Sequence, residues 1–386
     1  PSLFLNRDVQ QDYTERLDGN LTLEPFNDFT VDLTMQREYT ENHTEKFKIF
    51  EKGGDWERRV PYDVGSYRIS YFALNTLIGG DIDALFNTME DNRMQISRRL
   101  GDPNTRHQVD TGFTEGYGKV QQDVLIPAFI AAYSDQSPSD VNLDLFDIAP
   151  KMNWALTYNG LSRIPFFAQH VKQLSIKHGY NSTLEVNRFN TEPYFQEGTT
   201  TINEQTDNYY SRLEIPTVVI QEDLSPLLGV NMTLNNGMQF GVDYAKSRNL
   251  QLNFLSDNKQ VIESNSTTVN VTFGYLMKEV SIGFLGGKKS KVKKKKSQRG
   301  DSALGLDELS DTELGEMFDF TVVDEKTGDL NISVDVSLRD EITKNFLIDK
   351  NTNQVTRGSK VLSIAPSADY SLNKKVNFRL FFEYNS

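Results

Sequence analysis

The sequence predicts an all-β fold: a transmembrane antiparallel β-barrel with a few helical or irregular loop insertions. Apolar and polar residues alternate with a period of two in many segments of the 386 residues, as in strands whose two faces meet different surroundings. No run of about 18 apolar residues predicts a membrane helix. A barrel strand needs only every second residue apolar, so a mean hydropathy of −0.52 is compatible with a membrane barrel.

The alternation is clearest at residues 28–36. Successive side chains of a strand point to opposite faces, so one face is predicted to contact lipid and the other to line a wet lumen. The positions predicted to face lipid are Phe29, Val31, Leu33, Met35, Val230, Met232, Val269, Val271, Ile332, Val334, Val336, Phe378 and Leu380. The positions predicted to face the lumen are Thr30, Asp32, Thr34, Asn231, Thr233, Asn270, Thr272, Asn331, Ser333, Asp335, Asn377 and Arg379.

About ten strands are predicted in all, including weaker ones near residues 62–74, 172–187 and 360–372. Residues 235–237, Asn-Asn-Gly, predict a hairpin turn, because Asn and Gly tolerate positive φ. Residues 238–256 fit either two short strands or one long bent strand. Residues 223–229, which include Ser-Pro, are predicted to form a turn that leads into a strand.

Two soluble folds, the β-sandwich and the soluble barrel, alternate in the same way. A sandwich usually presents Lys and Glu on its outer face, whereas the polar positions here are mostly Asn, Thr, Ser, Gln and Gly. Small uncharged residues favour a crowded wet lumen, although the pattern alone does not separate a membrane barrel from a soluble one. The net charge of −13 argues against nucleic-acid binding, which needs a basic surface.

Residues 78–150 are predicted to be a loop or helix insertion. Ile82, Leu85 and Met89 recur at helical spacing, with Asp81 as the predicted N-cap and Gly101 as the predicted end. The apolar run at residues 124–133 is too short to cross a membrane as a helix. We expect it to form a loop packed inside the barrel mouth, with a buried core helix as the alternative.

Residues 285–328 are predicted to be a charged loop between two strands, in which a basic block precedes an acidic stretch. Such a segment is usually a solvated connection, and the alternative is docking to an anionic lipid surface or an acidic partner. The basic block consists of Lys288, Lys289, Lys291, Lys293, Lys294, Lys295, Lys296 and Arg299.

The sequence predicts no catalytic, cofactor or metal site. The chain has no cysteine and four histidines, and no two histidines have the spacing of a helical zinc site. Neither a Gly-x-Ser-x-Gly elbow nor a phosphate-binding Walker loop occurs. His178 falls within a strand pattern, which favours a structural role over that of a base.

Several segments together resemble the C-terminal part of the SprA/Sov family, the outer-membrane translocons of the Bacteroidota type IX secretion system. They follow one another in the family's order across most of the chain, and none is a catalytic signature. The resembling segments are residues 121–133, 153–162, 178–183, 225–230, 246–248, 369–374 and 379–382.

The resemblance implies that residues 1–386 form the C-terminal part of one large barrel in the outer membrane, through which already folded cargo proteins pass without catalysis. It implies as partners the remainder of the same barrel, a PorV-type outer-membrane barrel, a plug subunit, the secreted cargo and outer-membrane lipid. The chain covers a small fraction of such a protein, shows no signal peptide at its start and stops before an expected last strand. The alternatives are a self-contained outer-membrane porin or solute transporter and an extracellular β-sandwich adhesin.

Overall fold

The computed structural model describes residues 7–49, 51, 54–55, 57–101, 112–196, 201–255, 259–280, 328–348, 353–373 and 376–386. In this part the protein is mostly β: one antiparallel sheet has 13 strands, two further short strands pair separately, and helices are few. The prediction of a mostly β, antiparallel architecture is confirmed. The charged loop predicted at 285–328 lies outside the described residues up to residue 327.

The strands are β1 (Arg7–Phe26), β2 (Phe29–Lys48), β3 (Glu57–Ser70), β4 (Asn153–Tyr158), β5 (Val171–Thr191), β6 (Ile202–Asn203), β7 (Asn208–Tyr209), β8 (Leu213–Glu214), β9 (Thr217–Leu234), β10 (Met238–Asn253), β11 (Gln260–Val280), β12 (Gly328–Leu347), β13 (Asn353–Asn373), β14 (Val376–Phe381) and β15 (Tyr384–Asn385). The helices are α1 (Leu74–Gly79), α2 (Ile82–Leu100), α3 (Gln122–Tyr133) and α4 (Pro165–Ala168), with 3-10 turns at Leu145–Asp147 and Gly160–Arg163.

The sheet is an up-and-down meander in the order β1-β2-β3-β5-β9-β10-β11-β12-β13-β14. The turn predicted at 235–237 is confirmed, since it joins β9 to β10 as an antiparallel pair. β10 is one strand up to Asn253, which decides between the two alternatives for residues 238–256. The weaker predicted strands correspond to β3, β5 and β13.

β3 and β4 together fill one place between β2 and β5. Each pairs with both of these neighbours, β3 along one part of their length and β4 along the other. The Lys151 backbone N–H donates to the Ser70 carbonyl oxygen at 2.9 Å, where β3 ends. A single strand is therefore interrupted by residues 71–151, which we call the insertion; it contains the segment predicted at 78–150.

Residues 223–229 form a bulge inside β9 and not the predicted turn into a strand. Leu224 lies opposite Lys246 and Leu228 opposite Tyr244, so four residue steps of β9 (228 − 224) face two of β10 (246 − 244). Pro226 has no N–H to donate to the ladder, and a bulge accommodates such a residue without ending the strand.

Helix α2 begins and ends where its sequence predicts. The Asp81 side chain accepts a hydrogen bond from the Ala84 backbone N–H at 2.9 Å, and Gly101 is the C-cap. Both predictions are confirmed. The buried side of α2 packs against the sheet, and the Phe86 ring stacks on Phe346 of β12 with 4.6 Å between centroids.

Residues 124–133 form a helix, so the expectation of a loop is wrong. Gln121 caps α3 by accepting from the Val124 backbone N–H at 3.2 Å, and every residue from 124 to 133 is buried. Pro127 removes one helical hydrogen bond at a cost of about 3 kcal/mol. Complete burial of a large apolar side chain contributes about 1.5–3 kcal/mol, so two or three such residues outweigh that cost.

A buried ion pair joins the insertion to the sheet. Arg248 Nε of β10 donates to Glu222 Oε2 of β9 at 2.8 Å, and the two side chains are 2% and 0% exposed. Arg248 Nη2 donates to Thr76 Oγ1 of α1 at 2.6 Å, and Tyr180 Oη donates to Glu222 Oε1 at 2.8 Å. The buried charges thus have partners on both the sheet and the insertion, as buried charges require.

We expect Arg248→Met to destabilise the fold by about 3–5 kcal/mol, because it leaves the Glu222 carboxylate buried without its partner. The double variant Arg248→Met with Glu222→Met should recover much of the loss. Urea unfolding in detergent micelles, followed by the fluorescence of Trp154 beside Tyr180, measures both. The matched control is Arg339→Met, since Arg339 pairs with Glu341 while its side chain is 55% exposed; a similar loss in both single variants would contradict the role of the buried pair.

Candidate functional site

The pairing register assigns every strand residue to one of two faces, because residues directly opposite in an antiparallel pair project to the same side. One face, which we call the apolar face, runs across the whole meander. We call its uncovered part the apolar band. The band runs through Val31, Leu156, Ile176, Val230, Val242, Val271, Val336 and Ile364 to Leu380.

All thirteen positions predicted to face lipid lie on the apolar face, and none of them is buried. The side chain of Val271 is 42% exposed, that of Phe378 47% and that of Leu380 76%. No described part of the chain covers them. The structure therefore brings these residues into one continuous apolar surface, while what they contact stays a prediction.

The length of the apolar band along one strand is close to that of a membrane-spanning β-strand. On β11 its apolar positions run from Val269 to Met277, eight residue steps (277 − 269). At about 3.3 Å per residue this is roughly 26 Å along the strand. A transmembrane β-strand tilted by about 45° needs about 9–11 residues, and the nine residues from Val269 to Met277 reach the lower end of that range.

The opposite, polar face holds the twelve positions predicted to face the lumen. Thr272 lies opposite Gly241 and Asp335, and Ser337 Oγ donates to Asn270 Oδ1 at 2.7 Å. Short polar side chains on this face thus form hydrogen bonds with one another across neighbouring strands.

Charged residues on the polar face at the level of the band include Asp32, Lys177, Asp243 and Asp335. Arg379 and Asp369 form an ion pair at 3.3 Å, and the Ser333 and Ser367 hydroxyls lie 2.8 Å apart within hydrogen-bonding distance. In the described strands this surface is therefore mostly hydrophilic, with Phe381, opposite Ser367, as an exposed large apolar side chain on it.

A charged belt crosses the apolar face between the band and the insertion. Glu222 and Arg248 lie within it, and so do Asp340 and Lys360, which are directly opposite each other with an ion pair at 3.2 Å. Lys246 Nζ donates to the Leu77 carbonyl oxygen at 2.6 Å. On a lipid-facing strand surface a charge costs about 2–4 kcal/mol at the bilayer midplane and only about 0–1 kcal/mol near the interface with water.

The insertion covers the apolar face on the far side of this belt. Its helices pack against Ile69, Leu184, Ile220 and Leu250, which project to the same side as the apolar band. The insertion therefore packs on the apolar side of the sheet and not on the polar side, because its own core is apolar. If the polar face lines a lumen, as predicted, the insertion lies outside that lumen and not inside a barrel mouth.

Aromatic residues flank the band. Phe26, Phe29 and Tyr158 cluster at the β1–β2 turn, with 4.8 Å between the Phe rings and 5.8 Å between Phe26 and Tyr158. Trp154 lies beside Tyr180, with 4.8 Å between ring centroids, close to the charged belt. This aromatic pair was not predicted from the sequence. The run Phe-Asn-Asp-Phe at residues 26–29, in which Asn and Asp favour a turn between two Phe residues, is the signal that could have indicated it.

Strand β1 was not predicted from the sequence. Its Leu17, Leu21 and Leu23 extend the apolar face and are 45%, 49% and 42% exposed. The alternation is present there, but Glu15 and Gly19 occupy positions of the same face and interrupt it.

Within the described ranges, no three His, Asp or Glu side chains are grouped as a metal site requires. Nor does any helix described there combine the length and apolarity needed to cross a bilayer. Comparison with models of known protein families gives no match, and comparison with curated proteins gives none either.

We expect Val271→Arg to reduce the membrane-assembled fraction of the chain strongly and Thr272→Arg to leave it nearly unchanged. The two residues are adjacent and exposed but lie on opposite faces, and an arginine costs about 2–4 kcal/mol at the bilayer midplane on a lipid face. The readout is the fraction of each variant that only detergent releases from outer membranes. Equal fractions for both variants would contradict the assignment of the faces.

Proposed function

We propose that the chain is part of the wall of a very large outer-membrane β-barrel that conducts folded proteins in type IX secretion, without catalysing a reaction. The observation that carries this proposal is the uncovered apolar band on one face of a long meander whose other face is polar. If the band were exposed to water, the fold would forgo the favourable free energy of burying these apolar side chains. Lipid on one side and water on the other would satisfy both faces.

The meander supports a wall segment over a self-contained porin. In the described part of the chain, β1 pairs with β2 alone and β14 with β13 alone. A membrane barrel has to satisfy every backbone N–H and C=O, which requires closure. We therefore propose that both outer strands join the remainder of the same barrel.

The single sheet also weakens the adhesin alternative. In a β-sandwich a second sheet covers the apolar face, whereas the only other sheet among the described residues consists of β6 and β7. The insertion covers one part of the face and leaves the band free. A sandwich has no counterpart to that division.

The resemblance to the SprA/Sov family supports protein translocation in particular. Its segments include residues 121–133, which contain α3, residues 225–230 of β9 and residues 246–248, which contain Arg248. These are the elements that attach the insertion to the sheet. On this proposal, the partners are a PorV-type barrel, a plug subunit and folded cargo, and the site of action is the outer membrane.

The test is to extract outer membranes with detergent, isolate the species that carries this chain and identify what co-purifies. We expect a detergent-dependent complex with a very large barrel and partner subunits. The isolated chain should give no stable solute-conducting pore in planar bilayers. A monodisperse chain that stays soluble without detergent and has no partners would overturn the proposal in favour of a soluble sheet protein, and a pore formed by the chain alone would favour the porin.

A further inference from the structure

A cleft of about 540 Å³ lies where the margin of the insertion meets β1 and β2. Its apolar wall comes from the insertion and from the segment around β8. The residues of this wall are Ile126, Pro127, Leu145, Phe146, Leu213 and Ile215. A cleft of this size is in the range of ligand-binding sites and would hold two or three side chains.

One wall of the cleft belongs to the outermost strand of the sheet. Tyr13 and Glu15 of β1 line it on the apolar face, and the Tyr13 side chain is 50% exposed. Alternate residues of β1 direct their backbone N–H and C=O groups away from β2, as in any strand that pairs on one side. A further strand that adds to β1 places its own side chains about 4.5–5.5 Å from Tyr13 and Glu15, beside the cleft.

The charges in the cleft favour a cation. Arg37 Nη1 is already paired with Glu15, and Arg37 Nη2 donates to the Phe146 carbonyl oxygen at 3.1 Å. Three further carboxylates, Asp123, Asp144 and Asp147, line the cleft against one further guanidinium. Burial raises the pKa of Asp123, while hydrogen bonds from Gln121 and Ser211 lower it; Asp144 and Asp147 are both exposed.

We propose that this cleft is a socket for an extended polypeptide segment that adds to β1 and inserts an arginine flanked at alternate positions by apolar side chains. The arginine stem would lie along the apolar wall, its planar guanidinium against Tyr13 and near Asp144 and Asp147. Backbone hydrogen bonds to β1 would supply affinity, and the socket would supply specificity and register. The proposal deepens the proposed function, because β1 is an edge at which the rest of the wall would join.

The test uses fluorescein-labelled Thr-Leu-Thr-Arg-Thr-Leu-Thr as the probe and the full chain in detergent micelles, with binding measured by fluorescence anisotropy. We expect saturable binding that weakens by about fivefold in the double variant Asp144→Asn with Asp147→Asn, since exposed ion pairs contribute up to about 1 kcal/mol each. Asn keeps the oxygen with which Asp144 accepts from the Phe146 backbone N–H at 2.9 Å. The matched control, Asp91→Asn with Asp140→Asn, changes the net charge equally at exposed positions that do not line the cleft.

Two further probes separate the backbone from the side chain. Replacing Arg by Glu should abolish binding, and replacing both inner Thr residues by Pro should do the same, because Pro cannot donate to a strand ladder. Equal binding of the Arg and Glu peptides, equal binding of the Pro peptide, or absence of binding overturns the socket. The assay needs no membrane insertion, so absence of binding leaves the wall proposal standing, whereas a chain that binds the probe but is soluble without detergent overturns only the wall proposal.

Discussion

The whole structure depends on covering one continuous apolar face. Across the meander, residues opposite one another in neighbouring strands keep the same hydrophobic side, and each large side chain fully removed from water contributes about 1.5–3 kcal/mol. The chain covers part of this face itself, with the ten buried residues at 124–133 of α3 and with α2. The remaining part has no protein over it in the described residues, and its polar reverse side suits water.

Each long strand passes from the part of the apolar face that the insertion covers to the part that is uncovered. On β11, Val261 lies in the core beneath the insertion, Asn265 and Thr267 lie at the level of the charged belt, and Val271 belongs to the apolar band. Polar side chains at the belt have partners or reach water, as in the Asp340–Lys360 pair. A strand of 21 residues thus presents three environments on the same face, in an order that its sequence alone encodes.

Local patterns made much of this predictable. The period of two separates Val271 from Thr272, and the capping of α2 by Asp81 needs only three residues of context. The apolar run of α3 has no usable period, because a helix buried on all sides and a buried loop share the same composition. The attachment of the insertion depends on Ser70 meeting Lys151 and on Glu222 meeting Arg248, contacts between positions that no sequence window contains. β1 was not predicted because Glu15, which lines the cleft, lies at a position where the alternation would have an apolar residue.

The interruption of one strand by the insertion has a consequence for how such a wall can vary. Ile69 lies opposite Arg37, which places Ser70 level with Gln36; Asn153 lies opposite Thr34, which places Met152 level with Met35. Met152 therefore occupies the very next rung after Ser70, and β5 gives the same alignment from its own side. Without residues 71–151, β3, Met152 and β4 would form one strand of 21 residues (14 + 1 + 6), one residue longer than β2. The insertion thus lies between two adjacent rungs of the strand ladder. Its length and surface can therefore change without changing the register of the strands on either side.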